Sequence, residues 1–176
     1  MLSMIWQDMR ITNRLWQKAG LFGLIKRKGH LFGMNTPSLT ASKITAATAS
    51  LFHQMGDATL SEFTLKTGRR VDLIALSRDQ HISVIEVKSS LADFTSDKKW
   101  PDYLDWADRF YFAVADDFPR DRLPDETVCG LIITDGFDAH ILREAPERRL
   151  AGQRRSHLIR RLAFAAMMRL SSDQHA

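Results

Sequence analysis

The sequence predicts an α/β domain, and two patterns support that prediction. Segments with the apolar spacing of a helix alternate with short runs rich in β-branched and aromatic residues, in the order α-β-β-β-α-β-β-β-α. Only a short polar turn separates the second and third strands, so these two are expected to pair as an antiparallel hairpin. A chain of 176 residues is long enough for one such domain with a sizeable core.

The first half of the domain is predicted to hold one helix and three strands. The helix begins at Ser38 or Thr40, either of which can cap it, and continues to about Met55. Gly56 follows, where a left-handed residue commonly ends a helix. Short runs with strand-like composition then occupy Ala58–Lys66, Arg70–Leu76 and Ile82–Lys88.

The second half is predicted to hold three more strands between two helical segments. After a polar loop with a short turn near Leu91–Phe94, Pro101 suits the start of a helix. The remaining elements are predicted at Pro101–Ala107 (helix), Arg109–Ala115, Thr127–Thr134, His140–Arg143 (strands) and Glu147–Leu170 (helix). Leu150, Leu158, Leu162, Phe164, Ala165 and Met168 are the expected apolar positions of this last helix.

Residues 1–33 differ in composition from the rest of the chain. They contain six basic residues and one acidic residue, whereas residues 34–176 contain 19 basic and 20 acidic residues. Three interpretations are open: a basic arm that contacts DNA, a helix that binds a membrane surface or a partner, and a non-native extension. We favour the extension, because Met34 reads as an ordinary start and leads into a capped helix. The domain is therefore predicted to span residues 34–176.

Composition excludes several classes of protein. The single cysteine rules out an intrachain disulfide. The absence of disulfides is typical of proteins in a reducing compartment. No apolar run reaches the roughly 18 residues that a membrane-spanning helix needs. We therefore expect a cytoplasmic protein without a membrane partner.

The second and third predicted strands bring charged residues together. Glu86 and Lys88 are two residues apart, so their side chains point to the same face of the third strand. If the hairpin is centred on Asp79, Asp72 lies opposite Glu86 and Arg70 lies opposite Lys88. Side chains in such pairs have Cβ atoms about 4.5–5.5 Å apart. The hairpin therefore predicts two facing carboxylates with a lysine beside them.

This arrangement has two interpretations. It could be a ladder of ion pairs on a solvated face, because alternating charges at a strand end are common. However, Ile82 and Val84 share the face of Glu86, and Ile74 shares the face of Asp72, so most of this face is expected to be buried. Facing carboxylates in a buried sheet repel each other, and a divalent cation would offset that repulsion. Mg²⁺ favours one or two carboxylates together with water and phosphate oxygens.

The sequence also resembles a known family. Asp72 followed by Glu86-Val87-Lys88 is similar to the Asp…(Asp/Glu)-x-Lys pattern of the restriction-endonuclease-like nucleases. Longer segments look like the MmcB-related bacterial DNA repair proteins, and these segments are Glu62–Leu65, Gly68–Leu73, Ile85–Phe94, Asp97–Tyr103 and Arg143–Leu150. The resemblance implies a restriction-endonuclease-like core, in which helices flank a central mixed sheet, and a role in DNA repair. It also implies association with DNA in the nucleoid.

One feature departs from the nuclease pattern. Many members of the superfamily carry a further acidic residue on the first helix, but residues 36–56 contain no aspartate or glutamate. Glu62 on the first strand is a candidate substitute. A site with fewer protein ligands and a single metal ion is the alternative.

Several residues near the predicted site are candidates for DNA binding. Arg70, Lys98 and Lys99 could bind phosphates, and Trp100 could stack on a base. Alternatively, the lysines lie in a solvated loop, and Trp100 packs the following helix onto the sheet. The arginines of the last helix could likewise form a stripe along a DNA backbone or a solvated face.

Together these observations predict a DNA endonuclease that depends on Mg²⁺ or Mn²⁺ and hydrolyses phosphodiester bonds. Asp72 and Glu86 are the predicted metal ligands, and Lys88 is the group that orients water or stabilises negative charge. The first alternative is a DNA-binding repair factor that keeps the fold without catalysis. The second is a scaffold protein with an exposed apolar patch and no affinity for DNA.

Overall fold

The computed structural model describes residues 39–174. This part of the chain contains three α-helices and six strands, with a 3-10 helix at Trp100–Trp106 and a 3-10 turn at Arg120–Arg122. The helices are α1 (Ala41–Gln54), α2 (Leu91–Ser96) and α3 (Gly152–Asp173). The strands are β1 (Ala58–Thr64), β2 (Arg70–Leu76), β3 (Ile82–Lys88), β4 (Arg109–Ala115), β5 (Gly130–Thr134) and β6 (Ala139–Arg143). The predicted order of the six strands is confirmed, and so are the first and last helices. The helix predicted at Pro101–Ala107 is the 3-10 helix Trp100–Trp106 instead, and α2 precedes it.

The six strands form one sheet in which each strand lies beside the one that precedes it in the chain. The pairs β1–β2, β2–β3 and β5–β6 are antiparallel, whereas β3–β4 and β4–β5 are parallel. The parallel pairs require connections that cross over the sheet, and α2 and the first 3-10 helix lie in one of them. The α/β class, with a mixed sheet flanked by helices, is therefore confirmed.

Helices cover both faces of the sheet. On one face, Ile44 and Phe52 of α1 pack against alternate strand residues such as Ile85 and Ile132. On the other face, Leu158 and Leu162 of α3 join a cluster with Ile74, Val84 and Phe112, and Tyr103 of the 3-10 helix belongs to this cluster too. Because both faces are packed, every residue of β3 is buried, including the charged ones.

The hairpin of β2 and β3 has the predicted register. Leu73 pairs with Ile85 and Leu76 pairs with Ile82, as expected for a hairpin centred on Asp79. The regular ladder ends at Leu73 and Ile85, immediately before Asp72 and Glu86. The charged residues therefore lie where the two strands cease to pair.

The prediction for the last helix was wrong in two respects. Helix α3 begins at Gly152 rather than Glu147, because Asp108 holds the preceding segment in an extended form. The backbone carbonyl of Asp108 accepts a hydrogen bond from the amide of Arg148 (2.7 Å), and its side chain accepts one from the amide of Leu150 (2.8 Å). Phe164 and Met168 were predicted to face the core, but they are 68% and 54% exposed.

The shorter elements differ from the sequence prediction at their ends. Strand β1 ends at Thr64 and β5 begins only at Gly130, so both are shorter than predicted. The turn expected near Leu91 is the six-residue helix α2, which Ser90 caps by accepting a hydrogen bond from the amide of Asp93. None of the helices within residues 39–174 is long and apolar enough to cross a membrane.

Candidate active site

Glu86 and Lys88 occupy neighbouring positions on one face of β3. Their side chains follow Val84 in the alternation of the strand and so point to the face that α3 covers. Glu86 is only 6% exposed and Lys88 only 3% exposed. Charged groups are rarely buried so deeply unless they are paired, because removing them from water costs several kcal/mol each.

Lys88 forms ion pairs with two carboxylates. Its Nζ atom lies 3.0 Å from Glu86 Oε1 and 2.6 Å from Asp97 Oδ2. Burial lowers the pKa of Lys88, but the hydrogen bonds and charges of Asp97 and Glu86 outweigh that effect and raise it. Lys88 is therefore a fixed positive charge within the site.

Asp97 reaches this position from the end of α2. Its Oδ1 atom accepts a hydrogen bond from the amide of Lys99 at 2.7 Å, which fixes the carboxylate at the end of the helix. Burial raises the pKa of Asp97, but the hydrogen bonds from Lys88 and from the amide of Lys99 outweigh it and hold the pKa below its usual value. Asp97 is thus the ionised partner of Lys88.

Asp72 joins the cluster from β2. Its Oδ2 atom accepts a hydrogen bond from the amide of Val87 at 2.8 Å, where the regular ladder of the two strands has ended. Burial raises the pKa of Asp72 despite this hydrogen bond. Burial, and next the charge of Asp72, raise the pKa of Glu86 to about 8. Asp72, Glu86 and Lys88 therefore lie together, and the charge of each shifts the pKa of at least one of the others.

The cluster has an excess of negative charge. When all its groups are ionised, the carboxylates of Asp72, Glu86 and Asp97 face the single ammonium group of Lys88, which leaves two negative charges. The Glu86 Oε2 atom is buried and has no hydrogen-bond partner among residues 39–174. Either a proton on Glu86 or a cation beside it would satisfy that oxygen, and the raised pKa corresponds to the proton.

These donors suit a hard divalent cation that retains water molecules. Mg²⁺ is commonly held by one or two carboxylates, with water and phosphate oxygens completing its shell. In the described part of the chain, no group of three or more histidine, cysteine, aspartate or glutamate side chains is arranged to hold a metal ion. The protein would therefore supply two carboxylates, Asp72 and Glu86, rather than a complete cage.

Glu62, the candidate third ligand, is not brought into this cluster. It lies on β1 with a positive φ of 50°, and its carboxylate forms an ion pair with Arg70 at 3.5 Å. The side chains of Glu62 and Arg70 are 65% and 63% exposed. The structure gives no support to Glu62 as a ligand, because its carboxylate is in solvent and already paired. Arg70 remains accessible to a phosphate beside the site.

The other predicted DNA-binding residues differ in exposure. Lys98 and Lys99 are exposed, directly after Asp97. Trp100 is half-buried, with its ring stacked on Phe110 (centroids 5.9 Å apart) and edge-on to Phe112 (5.5 Å). The two lysines remain candidates for phosphate binding, whereas the ring of Trp100 serves first as a packing element.

Sequence reasoning missed Asp97 as a partner of the site and did not place Tyr103 beside the carboxylates. Tyr103 is buried, and its hydroxyl donates a hydrogen bond to the backbone carbonyl of Arg70 at 3.0 Å. Burial and the charges of Glu86, Asp97 and Asp72 raise its pKa to about 12. No strand periodicity includes either residue, because both lie in the crossover between β3 and β4. An acidic residue a few positions beyond the Glu-x-Lys strand was the available signal for Asp97.

The chain was compared with protein families, curated proteins and solved structures. A solved structure described as a protein of unknown function, SPO1766 from Silicibacter pomeroyi, is 40% identical, with a TM-score of 0.73 over 77% of this chain and 92% of that one. No curated protein matches. Residues 34–176 match the model of a family described as "DNA repair protein MmcB-like". Because that match covers most of the sequence, the chain belongs to the MmcB-like family of DNA repair proteins.

Proposed function

We propose that this protein is a DNA endonuclease that depends on Mg²⁺ or Mn²⁺ and hydrolyses phosphodiester bonds. The observation that best supports this function is the buried Glu86 Oε2 atom, which has no hydrogen-bond partner in the described part of the chain. The negative charge of Asp72 also acts on this carboxyl group and helps to raise its pKa. Membership of a DNA repair family makes DNA the expected substrate. The proposal includes a restriction-endonuclease-like core and a location at the nucleoid.

Asp72 and Glu86 would hold the metal ion between β2 and β3. The backbone amide of Val87 already orients the Asp72 carboxylate, so one of its oxygens is fixed before any ligand binds. When bound, a divalent cation lowers the pKa of water and offsets negative charge on phosphate oxygens. It would also offset the repulsion between the buried Glu86 carboxylate and the half-buried Asp72 carboxylate, so ion binding and folding stability are expected to be coupled.

Lys88 would act on the phosphate or on the attacking water. An ammonium group has three hydrogens, and two of those on Lys88 point to Glu86 and Asp97. The third remains to be donated to a phosphate oxygen or to a water molecule. A preorganised positive charge at this point stabilises negative charge as it develops on the phosphate. Asp97 is a positioning residue in this scheme, because it acts through Lys88.

A cleavage assay tests the proposed function directly. Labelled duplex, nicked, flapped and branched DNA would be incubated with the protein and Mg²⁺ or Mn²⁺, with EDTA as the blank. We expect metal-dependent cleavage that is lost in Asp72→Asn and retained in Asp79→Asn, an equivalent substitution in the turn at the far end of the same hairpin. The proposal would be contradicted if no DNA were cleaved, or if Asp72→Asn cleaved as fast as the wild type.

A DNA-binding repair factor without catalysis is the second candidate. Two observations favour it. Lys88 and Asp97 lie only 2.6 Å apart, so a charge that catalysis would use is already held in an ion pair. Residues 39–174 also contain no group of three donors arranged to hold a metal ion. On this view the cluster is a structural ion pair. DNA would then bind without metal, and none of the substitutions in the cluster would change an activity.

The variant Asp97→Asn separates these two functions. In a nuclease, removing the partner that fixes Lys88 should slow cleavage by about 10–100-fold, the range found for residues that support metal ligands. Metal affinity should change little, because Asp72 and Glu86 remain. Asp97→Glu, which keeps the charge, should restore part of the rate. Unchanged cleavage in Asp97→Asn would show that Lys88 needs no positioning by this carboxylate.

A further inference from the structure

A groove of about 470 Å³ lies between β1 and α3, away from the carboxylate cluster. We call it the arginine groove, because α3 contributes His157, Arg160, Arg161 and Arg169 to its walls. On the opposite side it is bounded by Glu62, Phe63 and Thr64 of β1. It is therefore an open groove with a strongly cationic wall.

Two buried nitrogen atoms in this wall lack partners. Arg161 donates from Nη2 to the carbonyl of Thr64 at 2.8 Å, and its guanidinium lies 5.4 Å from the ring centre of Phe63. These contacts fix the side chain, yet its Nη1 atom is buried without a hydrogen-bond partner in the described part of the chain. The same is true of His157 Nε2. Buried polar atoms are normally hydrogen-bonded. Arg161 Nη1 is always a donor, and His157 Nε2 is one when it carries the ring proton, so the two atoms point to a ligand that accepts hydrogen bonds.

The charge around the groove favours an anionic ligand. Three guanidinium groups line it, and the one carboxylate in its wall, that of Glu62, is paired with Arg70 at 3.5 Å. Arg169 donates from Nη2 to the backbone carbonyl of Glu62 at 3.2 Å, so it too is oriented along β1. Guanidinium groups match the geometry of phosphate with paired hydrogen bonds. A phosphate group satisfies the charge and the hydrogen-bond donors of this groove.

The groove and the carboxylate cluster lie on the same face of the sheet. Phe63 packs in one cluster with Val84 and Leu158, and Glu86 follows Val84 by two residues. In the sheet, Phe63 pairs with Val71, the neighbour of Asp72. Strand β1 is two strand spacings from β3, or about 10 Å. One strand of nucleic acid could therefore contact both places.

We propose that the arginine groove binds a backbone phosphate of the DNA and so holds the strand beside the carboxylate cluster. This proposal rests on the proposed function in one respect, namely that DNA is the substrate. It extends that function by assigning the binding of DNA to α3 and β1. The ligand chemistry is that of a phosphodiester, so binding is expected to be independent of base sequence and sensitive to salt.

The test is the salt dependence of DNA binding in EDTA, measured by fluorescence anisotropy with a short labelled duplex. The variant carries Arg160→Gln and Arg169→Gln together, which leaves the packed Arg161 in place. We expect the slope of log affinity against log salt to become shallower by about 0.9 for each phosphate that the variant no longer neutralises. Arg78→Gln, which removes an exposed charge in the turn between β2 and β3, should leave the slope unchanged. Circular dichroism checks that each variant is folded.

Several results would overturn this proposal. They are absence of DNA binding by the wild type, an unchanged slope in the folded double variant, and an equally shallow slope in Arg78→Gln. Thermal unfolding with inorganic phosphate distinguishes a free anion from DNA as the ligand. Suppose that phosphate stabilised the wild type but not the double variant, while both proteins gave the same salt slope for DNA binding. The groove would then bind free anions instead of DNA. The binding assay contains no metal, so a protein that cleaves no DNA can still show the expected change in salt slope. Failure of the proposed nuclease activity can therefore be distinguished from failure of the proposed phosphate binding.

Discussion

Replacing Glu86 with glutamine should abolish metal binding and DNA cleavage while the fold persists. The substitution removes a charge with almost no change in volume, and it takes away the one oxygen in the cluster that is both buried and unpartnered among residues 39–174. Even residues that only support metal ligands commonly contribute 10–100-fold, so we expect the cleavage rate to fall by more than about 100-fold. Calorimetric titration with Mg²⁺ or Mn²⁺ and the cleavage assay measure the two effects. Metal binding as tight as in the wild type would contradict the proposed site.

The same variant should also change how stability depends on pH. The pKa of Glu86 is raised from 4.5 to about 8 in the folded protein, so between these values the folded state binds more protons than the unfolded state. Wild-type stability should therefore fall as the pH rises through this range, with a slope of at most about 1.4 kcal/mol per pH unit from this group. Glu86→Gln should remove that contribution and be more stable at the upper end of the range. Lys88 keeps its pair with Asp97 in the variant.

Metal-free denaturation in urea at several pH values measures this effect. Glu126→Gln, an equivalent change at an exposed position before β5, serves as the matched control and should behave like the wild type. If the ion pair of Glu86 with Lys88 were the main role of this carboxylate, the variant would instead lose stability. The sign of the change near the upper pH limit therefore separates a repulsive acidic pair from a structural ion pair.

Replacing Asp108 with asparagine should lower the free energy of unfolding more than any other substitution proposed for this protein. This carboxylate is 1% exposed and accepts hydrogen bonds from the amides of Ile82 and Leu150, both at 2.8 Å. It also accepts two hydrogen bonds from Arg155, at 2.6 and 2.8 Å. Removing one partner of a buried ion pair typically costs about 3–5 kcal/mol, because the other charge remains without compensation. Asp105→Asn, an exposed change nearby, should stay within about 0.5 kcal/mol.

The effect of Asp108 should also disappear in acid. Burial raises its pKa, but the hydrogen bonds from Arg155 and the two amides outweigh this and lower it. Its stabilisation is therefore fully present above the ordinary pKa of 3.8 and is lost as the pH falls through the lower value of the folded state. Urea denaturation of the wild type and Asp108→Asn should give curves that converge in acid. A difference that stays constant down to strongly acidic pH would show that the charge of Asp108 is not the cause.

The hairpin and its charged residues could be predicted from sequence because their geometry is local. A short turn fixes the register of β2 and β3, and a period of two then determines which residues share a face. The partners Asp97 and Tyr103 could not be found in this way, because the crossover between β3 and β4 brings them back to the sheet. Whether a distant loop residue meets Lys88 depends on how that crossover packs, and strand periodicity does not contain that information.

The first residue of α3 illustrates the same limit. Residues 147–150 have a composition compatible with a helix, yet Asp108 draws two of their amides into an extended segment. The other end of α3 shows what helical periodicity leaves open. It predicts one apolar face but not how far a sheet extends beneath it, so the exposure of Phe164 and Met168 could not be foreseen.

The residues that specify this fold and those that would perform its chemistry are largely different sets. The hairpin register depends on apolar pairs such as Leu73 with Ile85, whereas burial raises the pKa of Asp72 and Glu86 and so makes their charges unfavourable to folding. A protein engineer who selects variants only for thermal stability would therefore be led first to these two carboxylates. Such a selection would yield a more stable domain without the proposed metal site. Positions 72 and 86 should therefore be left unchanged in any selection for stability.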